Sequence, residues 1–167
     1  SRNRDVMDFE GAAPGANDDG SGVAVVMELA RVLAKKEFSS TILFVAFTGE
    51  EQGLKGATYL ADKAKSEGWQ IEAVLNNDIV GNSNSSETLI SNNTLMRIFS
   101  ETVPLAEDER GATIRRSTNS DNDSPSRQLA RYIKETGERY VDHMEVKLIY
   151  RSDRFLRGGD QTPFMRN

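Results

Sequence analysis

Residues 40–54 read STILFVAFTGEEQGL. The first eight, STILFVAF, are a continuous apolar run rich in β-branched and aromatic side chains, which predicts a strand covered on both faces. The run stops at Thr48 and Gly49, and two adjacent glutamates, Glu50 and Glu51, follow. The next stretch predicts a helix from about Leu54 to Ser66, ended by Gly68. Beyond it IEAVLNNDIVG, residues 71–81, predicts a second buried strand that closes in polar residues, Asp78 among them. Upstream, PGANDDGSG (14–22) places Asp18 and Asp19 side by side in a glycine-rich loop. From Ser21 to Glu37 the apolar residues Val23, Val26, Met27, Ala30 and Leu33 recur at helical spacing, with Glu28, Arg31, Lys35 and Lys36 on the other face. Asp18 to Ser21 offers several N-cap candidates for that helix.

Downstream, NSNSSE reads as a turn, TLIS as a short strand and NTLMRIFSETV as a helix. Residues 107–123 read as a long polar loop. DSPSRQLARYIKETGERYV predicts a helix capped by Asp123 or Ser124, with Pro125 in its first turn. MEVKLIY is a third strand. This order predicts an α/β fold in three layers, a mixed but mainly parallel sheet with helices on both faces. No break divides it, so residues 1–167 are expected to form a single, partial domain. Both ends are abrupt, which suggests a fragment.

Composition narrows the partners. The chain has 167 residues, 37% apolar and 28% charged, with a formal net charge of -5. Mean hydropathy is -0.55 and the pI about 5.0. Nucleic acid and anionic membrane surfaces call for basic patches, so neither is expected as a partner. The apolar run TILFVAF is far too short to span a bilayer. With no cysteine, there is neither a disulfide framework, a thiolate metal site nor a cysteine nucleophile.

Function is written in the acids. In open α/β sheets, ligand sites gather at the carboxyl ends of strands. Glu50 and Glu51 follow one predicted strand, Asp78 ends the next, and Asp18 and Asp19 precede the first helix. Each has an ordinary reading alone: a helix cap, a first helical turn, a turn former. Brought to one sheet edge, they would repel, and dehydrating them is costly unless a cation compensates. Carboxylate oxygens bind Zn²⁺ as well as Mg²⁺ and Ca²⁺. Paired glutamates also allow a division of labour, one binding a metal and the other taking a proton from water that the metal has acidified.

Together, PGANDDGSGVAVVMELARVL, TILFVAFTGEEQGLKGA and LNNDIVG resemble the co-catalytic di-zinc aminopeptidases, a bacterial leucyl aminopeptidase-like family of metallopeptidases. The likeness runs from Pro14 to Gly81 and more loosely to YRSDRFLRGGDQTPF. It implies a sheet sandwiched by helices and two zinc ions sharing one aspartate and a water or hydroxide. It further implies hydrolysis of the N-terminal bond of a peptide with a free N-terminus. By resemblance Asp18 bridges the zincs, Glu50 is the general base, Glu51 binds one zinc and Asp78 the other. Asp19 supports the loop or caps the helix, and Asp160 and Gln161 are possible ligands or neighbours of ligands. A secreted or periplasmic location is suggested in the same way.

The sequence departs from that pattern at the histidines. The family's His-x-Asp motif would fall at or before Ser1, and its C-terminal histidine is replaced by Gln161 in GGDQTPF. Gln offers a carbonyl oxygen but is a poorer zinc ligand than imidazole. The one histidine, His143, lies between a predicted helix and strand and reads as a turn residue. The expectation is a chain that loads metal weakly at best and is inactive by itself. Two other readings share the fold: a non-catalytic interaction domain, favoured by Gln161, and a single-zinc glutaminyl cyclase-like acyltransferase.

Overall fold

The computed structural model describes residues 12, 14–84, 89, 91–101, 103–104, 107–151 and 158–166. Helix α1 spans Gly20–Leu33, α2 Lys55–Ser66, α3 Glu109–Ser117, α4 Pro125–Tyr140 and α5 Thr162–Arg166; β1 spans Leu95–Phe99 and β2 Glu145–Ile149. The strands pair in parallel, Leu95 opposite Glu145 and Phe99 opposite Ile149. Helices and a parallel ladder make this an α/β chain. Among the described residues no helix is long and apolar enough to cross a membrane.

Three predicted helices form with the predicted caps. In α1 the Asp19 carboxylate accepts from the Gly22 N–H. Helix α2 ends at Gly68, whose φ of +68° suits the left-handed position that glycine fills without a Cβ penalty. Helix α4 begins at Ser124, with Pro125 in its first turn. The Ser124 hydroxyl accepts from the Arg127 N–H and donates to the Glu101 carbonyl at 2.8 Å, tying the helix start to the end of β1.

Helix α4 also secures β2. Within β2, Val146 is buried, its N–H donates to Glu138 Oε1 at 2.8 Å, and Lys134 Nζ donates to its carbonyl at 2.7 Å. Lys134 and Glu138 pair with each other one helical turn apart. Two side chains of α4 thus satisfy the backbone groups of an otherwise bare strand edge. The Lys134 hydrogen bond, then the one from Val146, holds the Glu138 carboxyl below the ordinary glutamate range. A depressed carboxylate pKa stabilises above the unfolded value and is lost as pH falls through the folded one. Acid titration of the wild type and of Glu138→Gln should therefore diverge above the glutamate range and converge below it. Parallel curves throughout would show that the latch contributes nothing.

Three expectations are corrected. NTLMRIFSETV is not a helix: residues 95–99 are β1, because pairing with β2 overrides a weak helical pattern. The loop 107–123 contains α3 and a short 3₁₀ turn, Ser120–Asp123. There Asp108 caps α3, and the Glu107–Arg115 ion pair, at 2.6 Å, braces it. Segments 40–47 and 71–78 are not buried strands. Residues 41–47 and 71–78 run straight, without helix, turn or ladder, and Ile42, Leu43, Phe44, Val74 and Leu75 are exposed. Of TLIS, Thr88 and Ile90 lie outside the described residues, while Ser91 forms an isolated antiparallel bridge with Asn84.

The buried apolar residues among those described are small: Ala57, Ala61 and Ala64 on α2, Ala112, Ala130 and Val146. The alanine face of α2 receives α5, where Pro163 is buried. The Phe164 ring lies 6.2 Å from that of Phe47. This packing sets residues 158–161 beside the ends of the two straight segments.

Candidate metal centre

Asp18, Asp19, Glu50, Glu51, Asp78 and Asp160 all line one cleft of about 1620 Å³. Four separate stretches present them, three loops and, for Asp160, the residues before α5. The loop before α1 is shaped by a hydrogen bond from Gly20 N–H to the Gly15 carbonyl and by the Ser21 hydroxyl on the Asn17 carbonyl. The loop after residue 47 closes on itself. The Glu50 carbonyl accepts from both Gly53 and Leu54, and Gly56 N–H donates to the Thr48 carbonyl. Gly49 and Gly53 take φ of +70° and +102°, conformations that β-carbons oppose. That turn holds Glu50 half-buried and Glu51 exposed at the cleft.

The third loop follows Asp78. Ile79 has φ of +55°, rare for a β-branched residue, and its N–H donates to Asp19 Oδ1 at 3.1 Å. The same oxygen accepts from Gly22 N–H at 3.1 Å. Asp19 therefore caps α1 and ties it to the residue after Asp78, the supporting part the sequence suggested for it. This leaves Asp18 exposed at the cleft beside it. Gly22 is buried at the junction, where a Cβ would meet the Asn77 carbonyl oxygen at 2.1 Å.

Gln161 reaches the same corner. Its Oε1 accepts from Asn76 Nδ2 at 3.1 Å. Gly159 is buried, and a Cβ on it would lie 2.7 Å from Gln161 Oε1, 3.1 Å from Asn76 Nδ2 and 3.4 Å from Asp78 Oδ2. Polar atoms from two segments thus converge on one small space. Asp160 Oδ1 is buried there without a hydrogen-bond partner. Burial, then the charges of Asp78 and Asp19, raise the Asp160 carboxyl above the ordinary aspartate range. Asn76 and Gly159 are the residues the sequence reading missed. Asn76 lies two positions before Asp78, the spacing that shares a face in extended chain.

Asp160, Asp78 and Gln161 offer carboxylate and carbonyl oxygens, ligand types that suit a divalent cation. The fit to zinc is partial. His143 sits in the turn between α4 and β2 with φ of +62°, away from the cleft lining. Among the described residues no three Asp, Glu, His or Cys side chains converge closely enough to hold a metal by themselves. The acids share a cleft without forming a ligand cluster among the described residues, and no imidazole joins them there.

The comparisons agree with the class of protein that this acid-lined cleft suggests. A protein of Leptosphaeria maculans named as a probable zinc metalloprotease is 49% identical over 99% of this chain. Proteins of the same name from Pyricularia oryzae and Pyrenophora tritici-repentis are 45% and 46% identical, again over 99% of the chain. The chain spans 38%, 33% and 38% of the lengths of these three relatives. No solved structure matches. Residues 5–167 match the profile of peptidase family M28, and the chain belongs to that family.

Proposed function

We propose that this chain carries the carboxylate part of a zinc exopeptidase centre, an aminopeptidase that removes N-terminal residues from peptides. The observation that carries the reading is that Asp18, Glu50, Glu51 and Asp78, from three loops, line one cleft. Asp18 would be shared between two zinc ions, Glu51 would hold one and Asp78 the other. Zinc, when bound, polarises the scissile carbonyl and acidifies water. Glu50, half-buried at the cleft, accepts the proton of the attacking water and returns it to the departing amine. Asp19 keeps Asp18 and Asp78 in register through its two backbone hydrogen bonds. Gln161 occupies the corner beside Asp78 with its oxygen held by Asn76. A three-layer sandwich in one catalytic domain belongs to the same reading.

Zinc titration tests the ligand set. The 167-residue chain should bind Zn²⁺ weakly, and Asp18→Asn or Asp78→Asn should remove that binding. Gln161→His should tighten it by at least about tenfold, since imidazole is the better zinc donor and even supporting residues alter affinity on that scale. Two tight sites in the wild-type chain, or binding indifferent to Asp18 and Asp78, would contradict the assignment.

A further inference from the structure

Downstream of the acids, Asn-x-Ser/Thr triplets begin at Asn84, Asn92 and Asn122. Such a triplet is the acceptor signal for an oligosaccharide on the asparagine nitrogen, provided the middle residue is not proline. The fold treats the three differently. Ser86, which completes the first, lies outside the described residues. Ser124, which completes the third, is 1% exposed, and its hydroxyl is committed to the Glu101 carbonyl and the Arg127 N–H at the start of α4. The second lies at the surface just ahead of β1, with Asn93 and Thr94 exposed and Asn92 half-buried. The Asn92 N–H donates to the Ser83 carbonyl at 2.8 Å, beside the Asn84–Ser91 bridge, which fixes its backbone. Its Oδ1 accepts from the Thr94 N–H at 2.8 Å, the Thr94 hydroxyl at 3.0 Å and the Leu95 N–H at 2.9 Å. With the oxygen turned onto three donors, Nδ2 takes the opposite side of the carboxamide, and among the described residues nothing hydrogen-bonds it.

We propose that Asn92 is a modification site that carries an N-linked oligosaccharide in the complete protein. Nδ2 bonds to the anomeric carbon of a sugar delivered on a lipid diphosphate. The anomeric C–O bond breaks, the lipid diphosphate leaves with its electron pair, and a base of the transferase takes the Nδ2 proton. A turn alone does not call for this residue set. Aspartate supports the same turn, which asks only for a backbone N–H two residues on. A free amide nitrogen at 92 and a hydroxyl at 94 are what an acceptor adds. The fold leaves both at the surface, so the triplet serves a transferase acting on the extended chain or on the folded one. Asn122 has its partner hydroxyl available only before folding, because Ser124 is then still free of Glu101 and Arg127. Asn92 is not among the residues that line the acid cleft, so a sugar there leaves the cleft open. The inference stands whether or not zinc binds.

Glycopeptide mapping of the complete protein, purified from its source organism, tests it. Enzymatic release of N-linked sugar in heavy-oxygen water should leave a labelled aspartate at position 92. Variants expressed in the same organism separate modification from a merely structural turn. Thr94→Ser should keep the sugar and Thr94→Ala should lose it. Asn92→Asp should lose the sugar and keep the fold, since its carboxylate can hold the same three donors while offering no nitrogen. An unlabelled Asn92 in the native protein, sugar confined to Asn84 or Asn122, or sugar retained at 92 in Thr94→Ala would each overturn the inference.

Discussion

Glu50→Gln should lower kcat for an aminoacyl-nitroanilide by about 10²–10⁴-fold in the complete protein, the range for loss of a positioned general base. Zinc content should stay as in the wild type, because Glu50 is assigned to move a proton and not to bind metal. Glu51→Gln should do the reverse first, losing zinc and activity together. The two glutamates are adjacent in sequence but differ in setting: Glu50 is half-buried at the turn and Glu51 is exposed. Metal analysis beside steady-state kinetics separates them. A Glu50→Gln enzyme within tenfold of the wild type, or one stripped of zinc, would remove Glu50 from the base position.

The second large effect is structural. Gly22→Ala should cost about 1.5–5 kcal/mol, combining a backbone overpacking of about 1–3 kcal/mol with the loss of an N-cap worth about 0.5–2 kcal/mol. The added Cβ would lie 2.1 Å from the Asn77 carbonyl oxygen and 2.5 Å from Asp19 Oδ2. Neither can yield locally, since Asn77 is backbone and Asp19 is fixed by Gly22 and Ile79. Relief requires parting α1 from segment 71–79, which separates Asp18 from Asp78. With native stability commonly 5–15 kcal/mol, the change removes a large share of it. Gly68→Ala is the control. There φ is also positive but nothing lies within 4 Å, so only the left-handed penalty of about 1–2 kcal/mol applies. Urea melts showing equal costs at the two glycines would contradict the close approach at Gly22.

Much of this was legible in the sequence where local rules decide. Helices α1, α2 and α4 carry their own periodicity and caps, and β2 its β-branched run. Strand β1 was misread because Leu95–Phe99 has no decisive period and takes its conformation from pairing with β2. Helix α3 was missed because ERGATIRRS has a glycine in its first turn and few apolar residues; its cap at Asp108 and the Glu107–Arg115 pair hold it. Residues 40–47 and 71–78 have the composition of buried strands, but burial depends on neighbours, and among the described residues these reach mainly their ends, Phe164 at Phe47 and Gln161 at Asn76.

The acids were read from position and from the family resemblance: Glu50, Glu51 and Asp78 follow apolar runs, Asp18 and Asp19 precede a helix, and all of them line one cleft. Asn76, Gly22 and Gly159 were invisible at that stage. Their importance comes from contacts across 85 residues, for Asn76 with Gln161, and from close backbone approaches that no local pattern encodes. Asp19 was legible in part, as a cap; its hold on Ile79 was not.

The central claim is that the acids of this cleft hold metal. Anomalous diffraction at the zinc edge, on zinc-soaked crystals of the complete protein, tests it most directly. The claim predicts two peaks about 3.5–4 Å apart, one against Asp78, one against Glu51, with Asp18 between them. Zinc bound elsewhere, with these carboxylates free of it, would contradict the claim.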